Sequence, residues 1–396
     1  MADAFANPNR FGDFKRRYEL LREVGLVFLK LGTIAFGGPA AHIAMMEAEF
    51  VQKRQWLDRS RFLDLVGAAN LIPGPTSTEL AIYLGYLRAG WPGLALAGLC
   101  FILPAMLIVM FFAHLYVSYG ALPQISWALY GIKPVIIAII ILAVWNLGRA
   151  AVKDRTTAAG GIVALGLAVA SLNPLVVLVT SGFFVVLLRR LGSRTTLLAA
   201  VPLLGAVGGA TGDLAPLSFG GKMSLATLFL LFLKTGAILY GSGYVLLAFL
   251  WSDFVDYYQV LTDQQLLDAV AVGQFTPGPV FTTATFIGFV VAGVPGAIVS
   301  TIAIFLPSFL FVPMINLFLQ KVKSSRLATD FLAGVIVASL ALMAMVTWSL
   351  AMASIIDWLA AGLAGIAFFA LAKFRVNSTW LILGGGLIGL IKYLLS

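Results

Sequence analysis

Residues 70–86 read NLIPGPTSTELAIYLGY and residues 274–289 read QFTPGPVFTTATFIGF. Each sets two prolines around one glycine inside an otherwise apolar run. Proline removes a backbone donor and clashes with the preceding turn, so Pro73-Gly74-Pro75 and Pro277-Gly278-Pro279 each end one helix and start another. A helix starting there turns free N–H groups, and roughly half a positive charge, toward whatever lies at its end. That arrangement suits an anion without any charged side chain. Phe36-Gly37-Gly38-Pro39 has the same form, since small residues admit a ligand close to the backbone and Pro39 fits a helix's first turn.

Ionisable residues inside apolar runs are costly and are the second set of candidates. Lys30 and Lys234, one in each half, stand shortly before the glycine motifs and could neutralise a bound anion. Glu79, one turn past the first elbow, is the candidate proton carrier, because apolar surroundings favour a neutral carboxyl. Its plainer reading is an ion pair with a lysine or with Arg88. Asn70 and Gln274 could donate to an oxyanion or tie off freed carbonyls. Asp64 and Asp268 read as caps or orienting groups for the helices leading into the elbows. His42 reads as an interfacial polar residue, and Lys133 in GIKPV is a further candidate.

The elements that must carry these residues follow from composition. Of 396 residues, 61% are hydrophobic and 11% charged, against about 45–50% and about 25% in soluble domains. The chain is therefore read as an all-α integral membrane protein in a lipid bilayer. Its apolar runs are too long for outer-membrane barrel strands of about 10 residues. A single cysteine, Cys100, excludes an internal disulfide, and the only histidines, His42 and His114, make a histidine metal site improbable. With no dinucleotide GxGxxG after a strand and no haem-like histidine pair, neither an enzyme nor a cofactor is expected. The net charge of +9 sits mostly in short loops, where it sets topology and implies no nucleic acid. The basic start, with Arg10, Lys15, Arg16, Arg17 and Arg22, has no cleavable signal pattern.

The chain repeats itself. FLKLGTIAFGGP at 28–39 aligns with FLKTGAILYGSG at 232–243, six of twelve positions being identical at an offset of 204. The same offset pairs Asp64 with Asp268, Asn70 with Gln274, Gly37 with Gly241, and the two elbows with each other. One deletion later, Gly90-Trp91-Pro92-Gly93 meets Gly293-Val294-Pro295-Gly296, and Pro104 meets Pro307. Six apolar segments fall in each half, with one unmatched segment near 196–212 between them. The predicted organisation is a basic cytoplasmic segment at 1–22, a first repeat at 23–192, a linker with one extra helix at 193–222, and a second repeat at 223–396.

An odd insert flips the second repeat, and loop charges agree, since Lys and Arg gather on the cytoplasmic side. Lys53, Arg54, Arg59 and Arg61 fill 47–61, while 251–265 holds no basic residue; 149–155 holds three and 352–358 none. The bias then reverses at 118–126 and 171–174, which are empty, against Lys321, Lys323, Arg326, Lys373 and Arg375 in their partners. The expected fold is two inverted-topology repeats with broken or re-entrant helices, the N-terminus inside and the C-terminus outside. Nine full crossings with two hairpins per half is the favoured count; thirteen crossings is the alternative. Inverted repeats with interrupted helices are the pattern of secondary transporters.

At these residues the sequence resembles the chromate ion transporter family in its long-chain, two-domain form. The resemblance rests on Phe36–Pro39, the elbows Pro73–Pro75 and Pro277–Pro279, and the turns Gly90–Gly93 and Gly293–Gly296, and it covers nearly the whole chain. The second half departs from it with YGSG, leaving Pro39 without a counterpart. The resemblance implies chromate export from the cytoplasm across a bacterial-type inner membrane, driven by the proton-motive force as an antiporter would be, and chromate resistance. It also implies a link to sulfate, a dianion of similar shape. A sulfate or other oxyanion permease and a passive anion channel are the rival readings, and a homodimer stays open.

Overall fold

The computed structural model describes residues 8–36, 38–70, 72–120, 122–170, 172–191, 223–240, 245–374 and 376–395, with side chains from residue 17 onward except 191 and 315–324. The expected extra helix at 193–222 lies outside these residues. Among the described residues every regular element is helical. The first half runs α1 (Pro8–Ile34), α2 (Gly38–Glu47), α3 (Arg59–Ala69), α4 (Thr76–Tyr119), α5 (Pro123–Ala151), α6 (Arg155–Val169) and α7 (Pro174–Leu191). The second runs α8 (Leu225–Ile238), α9 (Leu246–Leu250), α10 (Asp263–Phe275), α11 (Thr283–Ser324), α12 (Arg326–Ser354), α13 (Trp358–Phe374) and α14 (Ser378–Leu395). The boundary expected at residue 22 falls inside α1, which is continuous from Pro8.

Five of the described helices are long and apolar enough to cross a membrane, and three shorter apolar ones accompany them. With 29 residues, α5 rises about 43 Å, more than the roughly 30 Å of a hydrocarbon core. The outer surface is apolar: Ile162, Phe183, Trp348, Ile366 and Trp380 are each more than 60% exposed. In water such a surface would aggregate; in a bilayer it is solvated. The protein is a helical membrane protein.

The duplication is legible in packing as well as in letters. Residues 48–53 and 251–257 each widen into a π-helical turn, and Gln55 and Gln259, 204 apart, both take φ of 51°. Phe28 stacks on Phe50 at 5.2 Å and Phe232 on Phe254 at 5.1 Å. The long α4 and α11 bend at Ala89-Gly90 and Ala292-Gly293 with φ/ψ matching to within a degree. That bend needs glycine, because Gly90 and Gly293 hold φ of 64° with ψ near −150°. In the later part of each half the offset is 203. Asp154 caps α6 and pairs with Arg189, as Asp357 binds the Ala360 N–H at the start of α13 and pairs with Lys392. At two helix crossings backbone meets backbone: α5 on α14 through Gly131 and Gly385, and α12 on α7 through Gly334 and Gly182.

Asp357 has a pH consequence. The Lys392 ammonium, the Ala360 N–H and the Tyr130 hydroxyl hold its carboxyl at about 2, below the usual 3.8. A carboxylate with a depressed folded pKa stabilises above the unfolded value, and that contribution is lost as pH falls through the folded one. The melting temperature in detergent is therefore expected to begin falling below about pH 4, and Asp357→Asn to flatten that fall. An unchanged slope in the variant would show that the carboxylate contributes nothing.

Candidate functional site: a vestibule ending at the first broken helix

The two broken regions interlock across the repeats. The Gly74 N–H donates to the Leu239 carbonyl, and the Gly278 N–H donates to the Ala35 carbonyl, both at 2.8 Å. Leu239 and Ala35 occupy the same repeat position, so each elbow plugs the gap that the other half leaves after its first helix. The two glycine N–H groups expected to face an anion are thereby consumed. His42 Nε2 donates to the same Ala35 carbonyl at 3.0 Å. It is 1% exposed, so it is a buried strut and not the interfacial residue its composition context suggests.

A cavity of about 1000 Å³ opens beside the first elbow. It is lined by Phe36, Pro39, Asn70, Thr76 and Tyr240 of the broken regions and by Asn146, Lys153, Arg189 and Asn377. Thr76 opens α4, whose N-cap Pro75 offers no side-chain acceptor to the first N–H groups. An uncapped helix start therefore borders the cavity. Arg189 is bound by Asp154 and Asp330. Lys153 is exposed and has no carboxylate partner among the described residues.

Behind Thr76, one turn along α4, lies Glu79, fully buried. Its Oε1 accepts from Ser308 Oγ on α11 at 3.4 Å, and its Oε2 has no partner. The expected ion pair with a lysine or with Arg88 does not form. Arg88 binds Glu23 at 2.8 Å and covers Trp56. Tyr240 stands in the cavity wall. The mirror position carries no carboxyl: Thr283 stands for Glu79 and Ala105 for Ser308. Thr283 turns its hydroxyl to the Val280 carbonyl, and a Cβ on Gly278 would lie 2.5 Å from the Ala105 methyl. The half-sites are not equivalent.

Other sequence candidates lie elsewhere. Lys30 is half exposed and 4.0 Å from Glu49, and Lys234 binds Asp253 at 2.7 Å. Neither lysine reaches the cavity. Glu49 and Asp253 are themselves 204 apart, a signal in the sequence that would have predicted both pairs. Asp64 is exposed, whereas its partner Asp268 is 3% exposed and binds Lys133 and Tyr116, both at 3.0 Å. Gly38 is buried with φ of 77°. Pro75, Pro277 and Pro279 are sealed behind the wall and Pro73 is half-buried. Gln274 is 5% exposed with no partner for its Nε2. Gly37 and Gly241 lie outside the described residues. Sequence reasoning missed Thr76, Tyr240 and Ser308; the last two were legible as the polar members of repeat pairs with Phe36 and Ala105.

The lysine pairs differ in a testable way. Lys234→Met strands a mostly buried Asp253, an expected loss of about 1–3 kcal/mol. Lys30→Met leaves Glu49 with Arg54 at 2.7 Å and is expected to cost under about 1 kcal/mol. Melting curves of the two variants should separate; coincidence would mean that the Asp253 carboxylate is solvated.

A duplicated bundle of membrane-length helices, broken at its centre around a vestibule and a buried carboxyl, is the architecture of a multi-pass transporter. The chain belongs to the chromate transporter family, whose model matches residues 22–186 and 226–390, one copy per repeat. It is 33% identical over 381 residues to the chromate transport protein of Cupriavidus metallidurans, across 94% of this chain and 93% of that one. Identity to the chromate transport protein of Pseudomonas aeruginosa is 31%, across 92% and 91% of the two chains. A probable chromate transport protein of Synechococcus elongatus shares 34%, over 81% of each. No solved structure matches.

Proposed function

We propose that this protein is a secondary transporter that moves chromate out of the cytoplasm at the expense of the proton-motive force. The observation that carries the reading is the vestibule: lined by Lys153 and Arg189 and bordered by an uncapped helix start, in a chain of the chromate transporter family. A dianion leaving water needs compensation. The α4 terminus offers about half a charge, Lys153 stands in the lining, and Asn70, Asn146 and Thr76 bring hydrogen-bond donors. Lys153 and Arg189 line the vestibule, and the basic 149–155 loop is on the side that positive-inside bias makes cytoplasmic. A negative interior favours expulsion by about 2.3 kcal/mol per charge per 100 mV.

Inverted topology is part of the proposal. The C-terminal half of α5, from Ile139 to Ala151, and the N-terminal half of its repeat partner α12, from Ala333 to Leu340, line one cavity. Equivalent helices that share a cavity through opposite ends run in opposite directions, which supports a pseudo-twofold axis in the membrane plane. Glu79 is assigned the proton, as the buried carboxyl with a free oxygen next to the cavity wall. The test is labelled chromate uptake into everted vesicles. Uptake should collapse with an uncoupler and be slowed by excess sulfate. Uptake that ignores the uncoupler would overturn proton coupling, and rapid dissipative flux would replace a carrier with a channel.

A further inference from the structure

The vestibule has a repeat-related counterpart that is shut. Repeat equivalence carries Ile336, Ser339 and Leu340 of its α12 wall onto Lys133, Ile136 and Ile137 of α5, and carries Asn70 and Thr76 onto Gln274 and Val280. Ile136 and Ile137 are fully buried and Val280 is 8% exposed. Only about 10 Å³ remains beside Gln274, Val280, Leu247 and Thr283, where the first site holds about 1000 Å³.

Two features of this closed seam do not belong to a dry core. The first is charge. Lys133 Nζ, where the open cavity has the isoleucine side chain of Ile336, lies 3.0 Å from the buried Asp268 carboxylate and donates to Gln264 Oε1 at 2.7 Å. Gln264 in turn binds the Ala353 carbonyl at the end of α12, and Tyr116 of α4 donates to the other Asp268 oxygen. The second is the Gln274 amide nitrogen, buried without an acceptor at the position where Asn70 faces the open cavity. Buried polar groups are ordinarily satisfied, and burying an ion pair is not in itself stabilising.

The geometry points to a second vestibule, formed along this seam when the first one closes, in which Lys133 leaves Asp268 and meets the tetrahedral oxyanion while Gln274 donates to it. Lys133 lies 13 residues from Asn146 along α5, about 20 Å of helix, so the second opening is at the far end of α5 from the first. Until then the Lys133–Asp268 pair latches α5 to α10, the helix that leads into the second elbow. The inference rests on the transport reading and names where the substrate stands on the other side of the cycle.

The test uses the full chain with Cys100→Ser, carrying Ser339→Cys for the open wall or Ile136→Cys for its closed counterpart. A membrane-impermeant thiol reagent is applied from either face of vesicles, and chromate flux is measured in parallel. Ser339→Cys should react from the cytoplasmic face. Ile136→Cys should react from the opposite face, severalfold faster when Asp268→Asn unlatches the seam. External chromate should slow that reaction, with Lys133→Arg retaining the protection and Lys133→Gln losing it. Reaction of Ile136→Cys from the cytoplasmic face, or from neither face while flux continues, would overturn the second vestibule and leave transport standing. Protection that survives Lys133→Gln would remove the lysine from the anion site. Absent flux in the unsubstituted protein would instead sink the transport reading itself.

Discussion

Replacing Glu79 by glutamine should abolish proton-driven chromate accumulation while leaving the protein folded. The amide matches the carboxyl in size, and Ser308 can hydrogen-bond either group. What the amide lacks is the capacity to gain and lose a proton inside a site with no compensating cation. If Glu79 carries the coupling proton, every 100 mV of driving force is worth about 2.3 kcal/mol per charge, a concentration ratio of roughly 40-fold per proton. Glu79→Gln forfeits that ratio, so everted vesicles given a pH gradient and no membrane potential should equilibrate chromate without concentrating it. Glu79→Asp should retain a fraction of the gradient, since the shorter side chain still titrates. The measurement is steady-state accumulation against an imposed pH gradient. Wild-type accumulation by Glu79→Gln would assign the proton to another group.

The second large effect is expected at Gly74, and Gly90 is its control. Both have positive φ, 140° and 64°. A Cβ at Gly90 meets nothing within 4 Å, whereas one at Gly74 overlaps Glu79 Oε1 and comes within 2.9 Å of Ser308 Oγ. Gly90→Ala carries backbone strain alone, about 1–3 kcal/mol. Gly74→Ala adds overpacking of a further 1–3 kcal/mol or so, and it pushes on the Glu79 carboxyl. The Gly74 N–H to Leu239 bond, one of two backbone–backbone hydrogen bonds that join the halves among the described residues, is strained with it. Gly74→Ala should therefore lower the detergent melting temperature clearly more than Gly90→Ala. The residual folded protein should also transport poorly. Equal shifts would mean that the first elbow tolerates a methyl group and that its close packing is incidental.

Much of the architecture is written locally. Proline pairs around Gly74 and Gly278 announce helix breaks wherever they occur, and the identical turns at Gly90 and Gly293 follow from the shared Gly-X-Pro-Gly that surrounds them. Matching letters 203 or 204 apart became matching ring stacks, caps and glycine crossings. The site was less legible. Lys30 and Lys234 stand at one repeat position beside Glu49 and Asp253, likewise 204 apart, and neither lysine lines the cavity. His42 reads as an interfacial polar residue and Asp268 as a helix cap or orienting group, yet His42 is buried and Asp268 is a buried partner of Lys133 and Tyr116. The elbow N–H groups, free in a single helix considered alone, are taken by carbonyls of the opposite half.

From its letters alone this chain is determined to be a duplicated, membrane-embedded helical protein interrupted at two related places, because apolar run length, proline chemistry and repetition act between near neighbours. Tertiary structure alone decided which polar groups find one another: Glu79 with Ser308 across 229 positions, Lys133 with Asp268 across 135, and each elbow with the other repeat's gap. It also decided that about 1000 Å³ stands open beside the first elbow while only about 10 Å³ remains beside the second. Charge and hydrogen-bond pairing depend on where distant segments meet, and two halves built from nearly the same instructions can settle differently once they pack against each other.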